Sequence, residues 1–166
     1  MNGADDGELY LEYRQSENVV IDDGKIKCAA FDTGQGFGLR AVSDEATGYA
    51  HASEMSEAAL KRAADTVKAV HRGGAGALAI DPVGTNVSLY DDDNPLGLVP
   101  FEDKVALLSE MDAYARGKDE RVKQVSASLG GEWQAVQIVR AGGHRVAERR
   151  GTALRLMHIP LGGGGR

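Results

Sequence analysis

Cysteine is almost missing from this chain. Cys28 is the only cysteine among 166 residues, so no disulfide can form within the chain. A nucleophilic thiol needs a nearby histidine and an electropositive setting, and no histidine stands close to Cys28 in the sequence. The sequence therefore predicts that Cys28 is a small, buried side chain in the middle of a strand.

Aromatic residues and long apolar runs are also scarce. Aromatic residues make up only 5% of the chain against 42% hydrophobic residues, which predicts a core of aliphatic side chains. No apolar run approaches the roughly 18 to 20 residues that a membrane span needs. The amino terminus, MNGADD, has neither the basic nor the apolar region of a signal peptide. These features favour a cytoplasmic protein that does not associate with membranes.

Motifs for metal binding and for nucleophilic catalysis are absent from the sequence. His51, His71, His144 and His158 stand far apart, and no HExxH or HExxxH pattern occurs. His51 and Glu54 are three residues apart, but catalytic zinc usually takes three protein ligands. No Gly-x-Ser-x-Gly motif is present either. We therefore assign no catalytic, cofactor-binding or metal-binding residue in this chain.

Positive charge is deficient in most of the chain. The net charge is −6, which argues against a nucleic-acid partner because a phosphate backbone attracts Lys and Arg. Residues 1–139 hold 13 Lys/Arg and 24 Asp/Glu, a net charge of −11, whereas residues 140–166 hold six Arg and one Glu, a net charge of +5. The composition changes abruptly near Arg140.

The first third of the sequence reads as a succession of strands. Residues 8–14 alternate between apolar and polar side chains, as in a half-buried strand. Asp23-Gly24 separates residues 19–21 from residues 25–31, and Asp-Gly between β-rich runs is a strong hairpin signal. Residues 37–42 and 48–52 make a second pair of strands. The sequence predicts an antiparallel meander.

Gly34, Gly36 and Gly38 interrupt this succession. A phosphate-binding glycine motif needs a helix opening directly from it, and here a strand follows. We therefore favour a bend or bulge in a strand.

Two helices are predicted. Ser53 or Ser56 caps the first, and Gly73-Gly74 ends it. Its apolar stripe comprises Leu60, Ala63, Ala64, Val67 and Val70. The second spans residues 102–116, and its apolar face comprises Val105, Leu108, Met111 and Ala115, broadened by Leu107 and Tyr114.

The connections around the second helix are less regular. Residues 73–100 read as a linker, in which Asp91-Asp92-Asp93 is more simply a solvated loop than a cation site. Gly130-Gly131 predicts a hairpin between strands at residues 122–129 and 132–139. Beyond Arg140 no strand or helix period is clear. The fold class is α+β: an antiparallel β-meander with a packed helix, followed by a second helix and a β-hairpin.

Several of these stretches resemble the amino-terminal part of the TldD/PmbA family, also called the modulator-of-gyrase family. The resemblance is strongest at GADDGELYLEYRQSENVVIDDGKIKCAAFDTGQGFGLRAVSDEATGYA and continues in SEAALKRAADTVKAV and DKVALLSEMDAYARGKDERVKQVSASLGGEW. It covers roughly residues 3–140 and favours the TldD branch over its PmbA (TldE) partner.

The resemblance implies a metallopeptidase whose catalytic part lies elsewhere. In this family a carboxy-terminal HExxxH helix binds zinc and supplies a general-base glutamate, and the TldD-like chain pairs with a PmbA-like subunit to degrade or trim unfolded peptides. No residue of this chain matches that motif, so zinc is implied for the full-length family but for no position here. Any partner would be a PmbA/TldE-like subunit or a second copy of the chain.

The sequence departs from the family pattern at its end. The resemblance divides the chain into an amino-terminal α+β domain (3–72), a linker (73–100), the start of a middle domain (101–140) and an atypical Arg/Gly-rich end (141–166). The change of charge near Arg140 suggests the hypothesis of a frameshifted or internally deleted gene product.

Three functional hypotheses remain open. The chain is the non-catalytic amino-terminal part of a TldD-like metalloprotease, whose edge strands could pair with an extended peptide. Alternatively, it is a stand-alone peptide-binding or oligomerisation module, or a truncated product without activity. As an isolated enzyme, we expect it to be inactive.

Overall fold

The computed structural model describes residues 4–43, 46–68, 93–140, 143 and 145–158, the last range mainly as backbone. Within these ranges the strands are β1 (Asp6–Asp22), β2 (Lys25–Ser43), β3 (Ala46–Ala52), β4 (Ser126–Arg140) and β5 (Arg145–His158). The helices are α1 (Glu57–Lys68), a short 3₁₀ helix (Pro95–Gly97) and α2 (Phe101–Lys118). The strands form one sheet in the order β3-β2-β1-β4-β5, which confirms the α+β class and the antiparallel meander.

The Asp23-Gly24 hairpin is confirmed. Asp23 has a φ of 54° and Gly24 a φ of 74°. Positive φ at both central residues is the geometry of a type I′ turn, whose twist matches that of the strands it joins. The turn therefore fixes the register of β1 against β2.

Strand β2 is longer than the sequence indicated. It runs unbroken from Lys25 to Ser43, so Gly34, Gly36 and Gly38 lie inside a strand and do not form a corner between two strands. Its antiparallel pairing with β3 runs from Phe37 opposite Ala52 to Ser43 opposite Ala46. Glycine does not end a strand when its neighbours on both sides supply β-rich residues, and here they do.

The chain divides into two compact units, each built from three separate stretches. The first comprises residues 1–14, 34–91 and 134–149, and the second comprises residues 15–33, 92–133 and 150–166. β1, β2, β4 and β5 therefore contribute residues to both units. The boundaries proposed from the sequence follow the chain and stay a prediction.

The core of the first unit lies between α1 and the sheet. Phe37 and Leu39 of β2 are buried with Ala59, Ala63 and Val67 of α1. Ser56 Oγ accepts a hydrogen bond from the Ala59 amide at 3.1 Å and so caps the helix, which decides between the two predicted caps. The predicted stripe is confirmed as far as Val67, whereas Val70 and Gly73-Gly74 lie outside the described residues.

In the second unit, α2 packs on strands β1 and β4. Val19, Ile21, Leu108, Ala127 and Leu129 form the buried cluster, and Val105 and Met111 pack against it. The predicted apolar face of α2 is thus confirmed at Val105, Leu108, Met111 and Ala115, whereas Leu107 is only half-buried and Tyr114 is 64% exposed. Tyr114 lies away from the cluster, and its ring instead contacts Lys118 Nζ at 4.5 Å from the centroid.

A buried ion pair joins α2 to β1 in the same unit. Lys104 Nζ donates to Glu17 Oε1 at 2.6 Å, to Glu17 Oε2 at 2.8 Å and to the Leu96 carbonyl oxygen at 2.7 Å. All three ammonium hydrogens thereby have an acceptor, which a buried lysine requires.

The predicted hairpin at Gly130-Gly131 is wrong. Both residues lie inside β4, which is continuous from Ser126 to Arg140. A Cβ atom at Gly131 would come within 2.5 Å of Leu96 Cδ2, so the glycine is needed where a buried side chain lies against the strand. A buried side chain lying close to a strand favours glycine there, and so does a turn, and the sequence alone cannot distinguish these two causes.

Two further expectations need correction. Residues 145–158 form β5, although no strand period was evident there. β5 is a strand because its backbone pairs with β4 in the sheet. Backbone pairing does not require apolar and polar side chains to alternate, so it leaves no pattern in the sequence. Cys28 is exposed rather than buried, and it lies on a stretch of β2 whose residues 25–33 are all exposed.

Candidate functional site

A groove crosses the sheet surface of the first unit above Gly34, Gly36 and Gly38. Because successive strand residues point to opposite faces, these three glycines share one face of β2. They form a floor without side chains, and the groove encloses about 380 Å³. Its walls are side chains of β1 (Tyr10, Glu12 and Arg14) and of β3 (Tyr49 and His51).

The walls approach the floor closely. A Cβ atom at Gly38 would lie 2.8 Å from Tyr49 Oη, and one at Gly36 would lie 3.0 Å from the Ala52 carbonyl oxygen. At Gly34 the Arg14 guanidinium nitrogens Nε and Nη2 are 4.0 Å away. The glycines therefore make room for side chains from the neighbouring strands, and only Gly34 has space above it.

The polar groups of the groove are partly engaged with one another. Tyr10 Oη donates a hydrogen bond to Glu12 Oε2 at 2.9 Å. The rings of Tyr49 and His51 stack with centroids 5.7 Å apart and an interplanar angle of 31°. The groove thus offers aromatic surfaces, one imidazole, one carboxylate and one guanidinium.

A second, more apolar groove lies in the same unit. It encloses about 320 Å³ and is lined by Leu11, Glu12, Tyr13, Met55, Ala135, Val136, Gln137 and Ala147. Met55 is 42% exposed there. The two grooves share Glu12, whose neighbours in β1 alternate between the two faces of the strand.

The residues considered for chemistry do not come together. His51 lies in the groove wall on β3, and its described ring neighbour is Tyr49. Glu54 accepts a hydrogen bond from Ser56 Oγ at 2.5 Å and pairs with Arg62 at 2.9 Å. The hydrogen bond from Ser56, and then the Arg62 charge, lower the pKa of Glu54 below its usual value. Cys28 belongs to the other unit, and His71, His144 and Asp91-Asp92 lie outside the described residues.

Metal ligands are not clustered in the part of the chain that the structure describes. No group of three or more His, Cys, Asp or Glu side chains there is arranged to hold a metal ion. The assignment of no metal-binding residue to the whole chain stays a prediction. No helix among the described residues is long and apolar enough to cross a membrane.

Sequence reasoning missed the groove because each of its signals has a commoner explanation. Alternation along residues 8–14 already placed Tyr10, Glu12 and Arg14 on one face. Glycine at every second position within a strand is the additional signal. A bend is its commoner explanation, because no local pattern in the sequence shows that β2 is continuous.

Two family models match the chain in order. Residues 7–71 match domain 1 of the PmbA/TldA metallopeptidases, and residues 94–155 match their central domain. Together the two matches cover well over half of the chain. The chain belongs to the TldD/PmbA family. The central-domain match continues past Arg140, where the resemblance noted in the sequence had ended.

Curated relatives in the TldD/PmbA family agree. The chain is 38% identical over 150 residues to the metalloprotease TldD homolog of Haemophilus influenzae, covering 88% of this chain and 31% of the relative. It is 32% identical over 151 residues to the TldD homolog of Buchnera aphidicola subsp. Schizaphis graminum, covering 90% of this chain and 31% of the relative. The chain therefore spans about a third of the length of these relatives, corresponding to an amino-terminal portion of a TldD/PmbA protein.

Solved structures show the same fold at low identity. A proposed modulator of DNA gyrase from Bacteroides thetaiotaomicron aligns with a TM-score of 0.75 and 18% identity, covering 99% of this chain and 39% of that structure. TldE from Thermococcus kodakarensis aligns with a TM-score of 0.70 and 17% identity, covering 97% and 37%. The described architecture is thus a fold shared with more than a third of each of these two structures.

Proposed function

We propose that this chain acts as the non-catalytic, amino-terminal part of a cytoplasmic TldD-like metalloprotease that trims or degrades unfolded peptides together with a PmbA-like subunit. The ordered match to domain 1 and the central domain carries the proposal, since these are the first two parts of a metallopeptidase. Identity of 38% to a TldD homolog favours the TldD branch.

The zinc of such a protease does not fit the described residues of this chain. Glu54 is held by Ser56 and Arg62, and among the described residues no third His, Cys, Asp or Glu side chain joins Glu54 and His51 in a group that could hold a metal ion. A catalytic zinc site needs three protein ligands around one open position. We therefore assign the metal to the part of the protease that follows this portion of the sequence.

We assign contact with the peptide to the groove above Gly34, Gly36 and Gly38. The bare backbone at Gly34 lets an extended chain approach the sheet there, while Tyr10, Tyr49 and His51 offer flat surfaces to its side chains. Such contacts are largely independent of peptide sequence, as a protease for varied unfolded peptides requires.

A peptidase assay tests the non-catalytic role. The substrate is an unfolded peptide with zinc present, and the samples are this chain alone, a PmbA-like subunit alone, their mixture, and a full-length TldD-like chain with that subunit as a positive control. We expect cleavage in the positive control and none by this chain alone. Cleavage by the chain alone would overturn the proposal, whereas cleavage only in the two-chain mixture would place the active site on the partner.

Peptide binding to the groove is tested with Gly34→Val. A Cβ atom at Gly34 would be in ordinary contact with the Arg14 guanidinium, 4.0 Å away, so an added side chain would fill the groove floor beside Arg14 while suiting a strand. We expect the variant to lower the affinity for a fluorescent unfolded peptide, measured by anisotropy, by about tenfold. Thr33→Val is the matched control, since the adjacent residue points to the opposite face. Equal affinities for the two variants would remove the groove from the proposal.

A stand-alone binding or oligomerisation module is the second candidate. Exposed strand backbone and exposed apolar side chains on β2 favour it, because both are typical of surfaces that pair with another chain. A product without activity is the third possibility. Binding of this chain to the PmbA-like subunit of that assay distinguishes the protease part from both.

A further inference from the structure

A short segment of the second unit packs on strand β4 through a single buried residue. The segment comprises residues 94–97, contains the 3₁₀ helix, and is named the strap here. Leu96 is its one buried residue, at 7% exposed, whereas Gly97 and the following Leu98 are exposed. A segment with so little buried apolar surface opens at a lower free energy than the core of its unit.

Leu96 occupies a space that a glycine provides. A Cβ atom at Gly131 of β4 would lie 2.5 Å from Leu96 Cδ2 and 3.6 Å from Glu17 Cγ of β1. The missing side chain at Gly131 therefore makes the space that Leu96 fills, and Glu17 borders that space. A side chain that fills such a space gains dispersion contacts, which are lost when it leaves.

Polar contacts hold the strap at both ends. Asn94 Oδ1 accepts a hydrogen bond from the Leu96 amide at 3.0 Å, and Asn94 Nδ2 donates to Gln15 Oε1 at 2.5 Å. At the other end, Lys104 Nζ of α2 donates to the Leu96 carbonyl oxygen at 2.7 Å. The other hydrogen bonds of Lys104 Nζ go to the Glu17 carboxylate. Lys104 thus binds the strap and β1 at the same time.

Closure of the strap and burial of Lys104 depend on each other. A buried ammonium group needs an acceptor for each of its hydrogens, and the Leu96 carbonyl oxygen supplies one of them. An open strap would withdraw that acceptor from a side chain that is only 7% exposed. Loss of Lys104 would in turn remove a charge-assisted hydrogen bond, which is among the stronger kinds in proteins.

The strap lies where the two matched family domains meet in the sequence. The match to the central domain begins at residue 94, whereas Gln15 and Glu17 lie within the match to domain 1. We propose that Lys104 and the strap form a latch, in which Lys104 keeps residues 94–97 closed and its loss lets them open while the rest of the second unit stays folded. The latch does not depend on the protease role, because all its contacts lie within the second unit.

Thiol labelling tests whether the strap is closed and opens separately. In a Cys28→Ala background, Leu96→Cys reports on the strap, Leu98→Cys on a site that is 68% exposed, and Val125→Cys on a site that is 0% exposed. We expect a thiol reagent to react at position 96 at least ~tenfold more slowly than at position 98, and faster than at position 125, which opens only with the whole unit. A rate at position 96 equal to either of the others overturns the proposal.

Removal of Lys104 tests its role in the latch. Lys104→Met combined with Glu17→Met removes the donor to the Leu96 carbonyl oxygen without leaving a buried charge unpaired. We expect labelling at position 96 to become about tenfold faster or more, and labelling at position 125 to stay unchanged.

A second lysine of the same helix provides the matched control. Lys118 is exposed on α2, so Lys118→Met should change the labelling rate at neither position 96 nor position 125. An unchanged rate at position 96 after the loss of Lys104 would show that Lys104 does not hold the strap, and the proposal would be wrong. Equal acceleration at positions 96 and 125 would show that the strap opens only with the whole unit, which also overturns the proposal.

Discussion

At the scale of single residues, the buried lysine of α2 has the largest predicted effect on stability. The side chain of Lys104 is 7% exposed and that of its partner Glu17 is 16% exposed. Lys104→Met would leave a nearly buried carboxylate without its counter-charge and the Leu96 carbonyl oxygen without its donor. We expect a loss of about 3 kcal/mol in the free energy of unfolding, measured by urea denaturation.

A double variant distinguishes the loss of the ion pair itself from the cost of leaving one buried charge unpaired. Lys104→Met combined with Glu17→Met removes both ions, so no uncompensated charge remains buried. We expect this variant to recover most of the lost stability. A double variant as unstable as the single one would show that packing, and not the unpaired carboxylate, dominates.

Two strand glycines make a second contrast at this scale. A Cβ at Gly131 would meet Leu96, which is only 7% exposed, whereas a Cβ at Gly38 would meet Tyr49, which is 64% exposed. Gly131→Ala should cost about 1 to 3 kcal/mol because a buried side chain must shift. Gly38→Ala should cost much less, because the Tyr49 ring can swing into solvent. Thermal melts of the two variants provide the measurement, and equal losses would contradict this explanation.

At the scale of elements, the amino-terminal cap of α1 is a single hydrogen bond. Ser56 Oγ accepts from the Ala59 amide at 3.1 Å. Ser56→Ala leaves that amide without its acceptor, and we expect a loss of about 1 kcal/mol in unfolding free energy, followed by circular dichroism. Ser53→Ala is the control and should be neutral. A larger loss of unfolding free energy for Ser53→Ala than for Ser56→Ala would indicate that Ser53 is the cap.

The elements also show what the sequence could predict. The Asp23-Gly24 turn and both helices are predictable because each leaves a local signal in the sequence. The signals are an Asp-Gly pair, which can adopt positive φ, a capping hydroxyl and an apolar stripe. The lengths of β2 and β4 were not predicted. Gly34–Gly38 and Gly130-Gly131 resemble turns locally, and only contacts with residues distant in sequence, such as Leu96, show why glycine stands inside a strand.

The groove was predictable only in part for the same reason. One wall follows from alternation in residues 8–14. The opposite wall, with Tyr49 and His51, depends on the register of β3 against β2, which places His51 opposite Gly38. Register is set by pairing across the sheet, and no residue near His51 in the sequence reports it.

At the scale of the whole molecule, the interleaved units predict how the chain tolerates truncation. Val19 and Ile21 are 3% and 1% exposed because residues of α2 and β4 cover them. A fragment of residues 3–72 would keep both side chains but lose that cover. We expect it to bind a hydrophobic dye and to melt without a cooperative transition, unlike the full chain.

The opposite result is equally informative. A cooperative melt and low dye binding by the fragment of residues 3–72 would show that the first stretch folds alone. The boundary at residue 72, predicted from the sequence, would then be a true domain boundary. Otherwise the compact units, and not the consecutive stretches, are the units of stability.

The strand order also determines how long β1 remains without its neighbour β4 during synthesis of the chain. β1 ends at Asp22, but its neighbour β4 begins only at Ser126, about a hundred residues later. At ~5–20 residues per second a ribosome needs roughly 5 to 20 seconds to cover that distance. The β1–β2 hairpin itself closes in microseconds. A nascent chain that has already formed the β1–β2 hairpin therefore exposes the unpaired side of β1 during those seconds, until β4 has been synthesised.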